Sequence, residues 1–328
     1  MTRLGLVGYG AIAREHVAAL AAVPELQLVA IAEPDAGARD RAAEATKLAT
    51  CSSAEELLLE HLVDAVLVCS PPASHEGIAT LALESGKHVL CEKPLAPKCD
   101  AALRMLATAE RTGRHLMMAS KFRYVADVQA ASKLVADGFL GDVVLYQNVF
   151  CSRVSMAGRW NSDPAVSGGG VLIDNGAHAA DLAQLLVGKI ARVMARFAPR
   201  VQAVPVEDTV RVLFEAESGC LGTIDLSWSI HREVDWYATV EGAKGTLRLG
   251  WRESAFKLAG ATEWTKFGSG YSKRAALTAN LLEFAKVVRG AAAPRPSREE
   301  SLESVLVIDA CYRAARQGAW TAVRGGSA

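Results

Sequence analysis

The chain has 328 residues, 51% of them hydrophobic, and balances 36 Lys+Arg against 36 Asp+Glu. That length accommodates two domains with ample core. Zero net charge argues against a nucleic-acid partner or a polybasic membrane anchor, and no apolar run approaches bilayer-spanning length.

Arg3 to Val7 is a short apolar run ended by glycines, as expected of a buried parallel strand. Ala11-Ile12-Ala13 imitates a signal-peptide cleavage site, but Gly5, Gly8 and Gly10 break the preceding stretch, and a strand with a turn fits better. Ala13 to Ala22 reads as a helix, Leu26 to Ala32 as a strand and Asp35 to Thr46 as a helix. Ser53-Ala54-Glu55-Glu56 is a capping-box start for a third helix. The strand Ala65 to Cys69 ends at Pro71-Pro72, and a helix from Ser74 to Ser85 stops at Gly86. His88 to Cys91 is a strand, Asp100 to Thr112 a helix and Leu116 to Ala119 a strand. Alternation of this kind demands a doubly wound parallel sheet with helices on both faces.

The second half changes character. Val143 to Phe150, Asp208 to Phe214, Cys220 to Trp228, Asp235 to Glu241 and Gly245 to Leu249 read as longer strands, with turns at Ser218-Gly219 and Gly242-Ala243-Lys244-Gly245. Helices are expected over Thr278 to Arg289 and Glu299 to Gln317, and a frayed tail over Arg324 to Ala328. The expected fold class is α/β: a nucleotide-binding domain over 1–121, then an α/β domain over 122–328 with a large, mostly antiparallel open sheet. The helix at 299–317 is a candidate to pack back on the first domain.

Seven cysteines without a C-x-x-C predict reduced thiols and a cytoplasmic protein. His16, His61, His88, His115 and His231 show no metal-ligand spacing and read as structural or solvated, so no metal is expected.

Gly8-Tyr9-Gly10-Ala11-Ile12-Ala13 is a G-x-G-x-x-A fingerprint between the first strand and the first helix, the signature of a Rossmann domain. Gly8 permits the tight turn, Gly10 lets the backbone approach a pyrophosphate, and Ala13 lets the helix pack close to the sheet. The backbone of Ala11 and Ile12 at the helix N-terminus favours the phosphates. Glu33, at the end of the second strand, can accept both hydroxyls of the adenosine ribose and would repel a 2′-phosphate, which favours NAD over NADP. Arg39 lies nearby and opposes that preference.

Ser70-Pro71-Pro72-Ala73-Ser74-His75 and Gly86-Lys87-His88-Val89-Leu90-Cys91-Glu92-Lys93-Pro94 carry a more specific pattern, with Glu-Lys-Pro after the fifth strand as its sharpest mark. A second mark is Gly169-Gly170-Val171-Leu172-Ile173-Asp174-Asn175-Gly176-Ala177-His178, a G-G-x-x-x-D-x-G-x-H. With these motifs the chain resembles the glucose-fructose oxidoreductase, inositol dehydrogenase and rhizopine-catabolism family, written Gfo/Idh/MocA. The resemblance implies reversible oxidation of a secondary hydroxyl on a sugar or cyclitol. It also implies homodimers or homotetramers built through the second sheet. Carried over, Lys93 is the catalytic lysine, and Asp174 and His178 are the substrate-side pair. Ser70, Pro71 and His75 would border the cofactor, as would Glu92 and Lys93. Where the family often has Asn or Gln before an Arg, this chain has Lys121 before Arg123, a second cation at that place.

Hydride transfer needs the substrate carbon held against the nicotinamide and a base for the hydroxyl proton. Lys93 can polarise the substrate oxygen or take its proton, and His178 brings an imidazole, whose intrinsic pKa lies close to operating pH. The residues leave open which of the two is the acceptor. Asp174 stands one helical turn before His178 if the segment is helical, and can bind a hydroxyl or orient the ring. Arg123, Arg159 and Trp160 are further substrate candidates, although Arg159-Trp160-Asn161 serves equally as a domain-interface anchor. The expected activity is an NAD(H)-dependent dehydrogenase acting on a sugar, aminosugar or cyclitol, with biosynthesis of a sugar-containing metabolite or aminoglycoside as one setting. Alternatives are an NAD-dependent glycosidase, which oxidises a hydroxyl only transiently, and a non-catalytic NAD-binding sensor, which has no need of a proton relay.

Overall fold

Short apolar runs in the first half become parallel strands because helices cover both faces of their sheet, leaving no polar face to alternate with. In chain order the elements are β1 (Thr2–Val7), α1 (Ala11–Leu20), β2 (Leu26–Ala32), α2 (Ala36–Thr46), β3 (Ala49–Cys51), α3 (Ala54–Glu60) and β4 (Ala65–Val68). They continue with α4 (His75–Glu84), β5 (His88–Glu92), α5 (Cys99–Thr112) and β6 (Leu116–Ala119). The six strands stand in the order β3-β2-β1-β4-β5-β6, all parallel. Leu4, Leu6, Ile31, Leu67 and Leu90 are inaccessible to solvent in its core. The strand order reverses between β1 and β4, which is where a doubly wound sheet opens a crevice at its carboxyl edge.

This computed structural model describes residues 1–324. One unit comprises Met1–Lys121 and Lys273–Leu302, the other Phe122–Ser272 and the chain from Glu303 onward. The expected frayed tail lies outside the described residues apart from Arg324, which is ion-paired with Glu303.

Helix ends differ from expectation in small ways with local causes. The first helix begins at Ala11, directly after Gly10, and ends at Leu20. Asp35 caps α2, its carboxylate accepting from Ala38 N at 2.7 Å. At α3 the capping box is displaced: Ser53 accepts from Glu56 N at 3.2 Å, but the Glu56 carboxylate turns to the N–H and hydroxyl of Ser52, both at 2.7 Å. Before α4, Pro72–Ser74 form one 3₁₀ turn.

The second unit carries α6 (Ala126–Ala136), β7 (Val143–Cys151), α7 (Pro164–Ser167), α8 (Val171–Val187), β8 (Ile190–Phe197), β9 (Thr209–Ala216) and β10 (Leu221–Ser227). There follow β11 (Trp236–Gly242), β12 (Gly245–Gly250), β13 (Ser254–Leu258) and β14 (Thr265–Gly268). Helix α9 (Lys273–Val288) belongs to the first unit and packs on α1; α10 (Arg298–Gln317) and β15 (Thr321–Ala322) complete the chain. The nine strands run β14-β13-β12-β11-β7-β10-β9-β8-β15, antiparallel except for the central β7–β10 pair. The expected open, mostly antiparallel sheet is therefore present, with strands β8 and β13–β15 and helices α6, α7 and α8 added.

Helix α8 packs on β7, β9 and β10, and α6 on β12 and β14. Strand side chains alternate between buried and exposed, as on β9, because only one face is covered there. Register places Leu221 beside Leu145, and Thr223 beside Leu213, so these leucines share the uncovered face. Leu145, Leu213 and Leu221 remain 47%, 37% and 45% exposed.

Candidate active site

At the switch point the chain leaves β1 through Gly8, whose φ of +89° suits a residue without Cβ. A Cβ there would stand 2.7 Å from Ser70 N, so the end of β1 and the turn after β4 can close up only over glycine. Gly10 faces open space, and no side chain caps α1. The exposed start of α1, with Ala11 and Ile12 in its first turn, therefore offers unclaimed N–H groups and the positive end of a helix dipole. Ala13 is fully buried against the sheet, as the fingerprint requires. These residues fit a dinucleotide pyrophosphate.

Glu33 sits at the end of β2, partly exposed, with Oε2 accepting from Tyr9 N at 2.6 Å and Oε1 from Asp35 N at 3.0 Å. One carboxylate thus fastens the glycine turn to the mouth of β2. Arg39 does not neutralise it. Its Nη1 donates to the carbonyls of Glu33 and Pro34 at 2.8 and 3.1 Å.

Lys93 follows β5, and the Lys93–Pro94 bond is cis. Two buried side chains brace this loop. His75 is 1% exposed, and its ring bridges the carbonyls of Ser70 (Nε2, 2.9 Å) and Pro94 (Nδ1, 2.9 Å). Burial pushes its pKa down, against the pull of those carbonyls. The other brace is Glu92, whose Oε1 meets His16 Nε2 at 2.8 Å while Oε2 accepts from Lys93 N at 3.2 Å. Burial pushes the Glu92 carboxyl up, but the His16 hydrogen bond and the charges of His16, Lys93 and Lys121 outweigh it and hold it below the usual carboxylate range. Lys121 thus lies near enough to Glu92 for its charge to act on that carboxyl. His75 and Glu92, read from the sequence as bordering the cofactor, put their side chains inside the protein instead. There they support the residues that border the crevice. Ser70 is partly exposed, and its hydroxyl accepts from Ser74 Oγ at 2.7 Å; Pro71 lies beside it, also partly exposed.

In the second unit the glycine-rich motif opens α8. Asp174 lies in its first turn, partly exposed, and Asn161 Nδ2 approaches its Oδ2 at 3.4 Å. His178 lies one turn further on, 6% exposed, edge-on to Phe122 with ring centroids 5.2 Å apart. Phe122 also stacks on Tyr271 at 5.1 Å and touches Phe150 and Tyr237, so an aromatic wall flanks the imidazole. Arg123, expected as a substrate contact, is corrected: it is 8% exposed and its guanidinium holds the buried Asp181 carboxylate at 2.8 Å, anchoring α8. Arg159 and Trp160 lie on an exposed loop, Trp160 at 45%, with Asn161 linking that loop to Asp174.

His16, read from the sequence as structural or solvated, is a buried structural partner of Glu92; Glu207 and Tyr312 were given no role. The signal for His16 was a polar residue on the apolar face of α1, in register with Ala13 and Leu20. Neither Glu207 nor Tyr312 could be given a role from the sequence, since their partners are remote in the chain.

Comparison with known proteins accords with this geometry. Residues 2–120 match the model of an oxidoreductase family with an NAD-binding Rossmann fold, and residues 128–248 that of the GFO/IDH/MocA C-terminal domain. The chain is 26% identical to D-apiose dehydrogenase of Paraburkholderia graminis, over 95% of this chain and 87% of that protein. It is 29% identical to D-xylose 1-dehydrogenase (NADP(+)) 2 of Haloferax volcanii, over 96% and 98%. Among solved structures, levoglucosan dehydrogenase in complex with NADH and levoglucosan superposes with a TM-score of 0.92 at 21% identity, covering 99% of this chain and 100% of that one.

Proposed function

The chain belongs to the Gfo/Idh/MocA family of NAD-binding oxidoreductases, and on that premise we propose that it oxidises a secondary ring hydroxyl of a sugar, aminosugar or cyclitol, or reduces the corresponding ketone. The observation that carries the proposal is His75: one buried imidazole ties the Ser70 turn, which packs over Gly8, to Pro94, next to Lys93. The phosphate cradle and the reactive amine are thus parts of one rigid frame. The relatives named for D-apiose and D-xylose support a sugar as the substrate class.

When bound, NAD supplies the hydride acceptor. The rest falls to the chain. The first turn of α1 and the Gly8 turn hold the pyrophosphate, and Glu33 takes the adenosine ribose. Lys93 hydrogen-bonds the oxygen of the reacting hydroxyl. His178 accepts its proton, imidazole being the side chain that exchanges protons most readily near neutral pH. Asp174 receives a neighbouring hydroxyl and fixes the ring's orientation, and Trp160, Arg159 and Lys121 border the sugar. Self-association through the uncovered face of the second sheet belongs to the same proposal, supported by its exposed leucines. So does a cytoplasmic setting, supported by seven cysteines that form no disulfide.

The test is NADH formation from NAD with a panel of D-xylose, D-apiose, inositol, levoglucosan and aminoglycosides. Steady net NADH formation with at least one of them is expected. Its absence across the panel, or turnover without net NADH, would sink the proposal, the latter in favour of a glycosidase.

A further inference from the structure

Helix α8 begins without a capping side chain of its own: its N-cap is Gly170. The cap comes from elsewhere in the same unit. Glu207, on the loop before β9, accepts with Oε1 from Gly170 N at 2.9 Å and Leu172 N at 3.2 Å, and with its carbonyl from Val171 N at 2.9 Å. Tyr312 of α10 donates its hydroxyl to the same Oε1 at 2.8 Å. One residue therefore binds three consecutive N–H groups of the helix start, and a second helix locks that residue.

The glycines of the motif follow from this arrangement. A Cβ on Gly169 would stand 2.0 Å from the Tyr312 hydroxyl oxygen, and one on Gly170 2.0 Å from the Glu207 carbonyl oxygen. Neither clamp residue could approach a helix start bearing side chains. The loop holding Glu207 is itself pinned by the next residue. Asp208, fully buried, accepts from Val201 N and Gln202 N at 2.8 Å and from Ser229 Oγ at 2.7 Å.

We propose that Glu207 and Tyr312 are positioning residues that set the axial register of α8 and so the placement of Asp174 and His178. At 1.5 Å of rise per residue, Asp174 is only about 6 Å and His178 about 12 Å along the helix from the clamp. A small axial slip therefore passes directly to both groups. Misplacement by about 1 Å can cost about 10²-fold in rate. Burial also pushes the Glu207 carboxyl above its ordinary range despite the Tyr312 and backbone hydrogen bonds, as expected of a group enclosed by the clamp.

The inference rests on the proposed roles of Asp174 and His178, and its test separates the two. Glu207→Ala, Glu207→Gln, Tyr312→Phe and the reference variant His178→Asn are compared with wild type. The readouts are kcat, KM and the pH–kcat profile for the panel sugar that wild type oxidises, NADH binding by fluorescence, and backbone hydrogen exchange along α8. Glu207→Ala is expected to lower kcat by about 10²-fold, to shift the pH profile and to leave NADH affinity unchanged. Exchange should rise over residues 171–178 but not over 182–187. The amide oxygen of Glu207→Gln can accept from the same three donors, Gly170 N, Leu172 N and the Tyr312 hydroxyl, and should restore most of the rate. Tyr312→Phe, which retains every ring contact, decides the matter if Glu207→Ala does not fold. An inactive His178→Asn alongside clamp variants with wild-type kcat, pH profile and exchange would overturn the clamp alone. A fully active His178→Asn, or a wild type that oxidises no sugar of the panel, would overturn the functional reading and the clamp with it.

Discussion

His16 on α1 and Glu92 at the end of β5 meet inside the dinucleotide-binding unit, Nε2 to Oε1 at 2.8 Å, with the imidazole fully buried and the residue Glu92 7% exposed. The second oxygen of the same carboxylate receives the N–H of Lys93. The helix that opens after the Gly8 turn and the loop that carries Lys93 are thereby tied together. Removing the donor strands a buried carboxylate, which typically costs about 3 kcal/mol. His16→Ala should therefore lower the denaturation free energy by about that amount, and His16→Gln, which can still donate, by clearly less. Urea unfolding of the three proteins checks this. Equal midpoints would show that the pair contributes nothing to the frame.

Lys93→Met removes the ammonium while keeping the length of the side chain. Its backbone N–H still reaches Glu92, so the loop should hold its shape. Proton handling and polarisation by a positioned side chain are worth about 10²–10⁴-fold. The expected result is a kcat reduced at least about 10²-fold with NADH affinity within a few-fold of wild type. Stopped-flow kinetics together with NADH fluorescence titration measure both, and an unchanged kcat would remove Lys93 from the reaction.

The Glu33 carboxylate fastens Tyr9 N and Asp35 N, and the proposed function gives its charge a second task, barring a 2′-phosphate from the mouth of β2. Glu33→Gln keeps an acceptor for the turn and loses the charge. The ratio of kcat/KM for NAD to that for NADP should then fall by about tenfold, equivalent to about 1.4 kcal/mol. Wild-type enzyme using both cofactors equally would show that Glu33 does not discriminate.

The parallel strands and the glycine turn were legible because their signals are local in sequence: each strand is a short apolar run, the fingerprint spans Gly8 to Ala13, and Glu33 follows the next strand. Helix α8 was obscured for a physical reason. It is buried over most of its circumference, so its sequence lacks an amphipathic stripe, and Gly176 within it lowers helix propensity. Strand β8 was obscured by Arg192 and Arg196 on its exposed side, the first of which pairs with Glu215 across β9. The braces of the site join residues distant in sequence, 76 positions apart for His16–Glu92 and 105 for Glu207–Tyr312. Periodicity reports which face of an element is buried and is silent about which remote side chain meets it. Hence Lys93, Asp174 and His178 could be named from motifs, while the residues that hold them could not.

His88 provides a pH test of stability. Its ring stacks on His115 with centroids 5.1 Å apart, and its Nδ1 accepts from His115 N at 3.2 Å, which requires that nitrogen unprotonated. Burial first, then the charges of His115 and Arg114, push its pKa down to about 4. A histidine lowered on folding takes up its proton more readily in the unfolded chain. The His88 contribution to stability should therefore be lost as pH drops from about 6.5 to about 4, while carboxyls held low in the folded chain, such as Asp64 and Asp225, go on lowering stability below that. The contribution is of order 1 kcal/mol for a partly solvated ring. His88→Asn should flatten that part of the curve, leaving a residual slope of the same sign from His75, which is also lowered by burial. Denaturation midpoints at half-unit pH steps measure it, and parallel curves for the two proteins would dispose of the assignment.

The uncovered face of the second sheet makes a prediction about assembly. Leu145, Leu213 and Leu221 lie on three adjacent strands, β7, β9 and β10, with β10 between the other two. Contiguous apolar surface of this kind costs free energy in water and is characteristic of interfaces. The Arg192–Glu215 pair, at 2.5 Å, lies beside it and adds a polar border. Leu213→Lys combined with Leu221→Lys places two charges on that face without touching the buried side of either strand. Because both positions are exposed in the single chain, each substitution should change its stability by about 0.5 kcal/mol or less. The wild type should sediment as a dimer or tetramer, and the double variant as a smaller species with unchanged circular dichroism. A wild type that is monomeric at micromolar concentration, or a double variant of undiminished mass, would rule out assembly through this face.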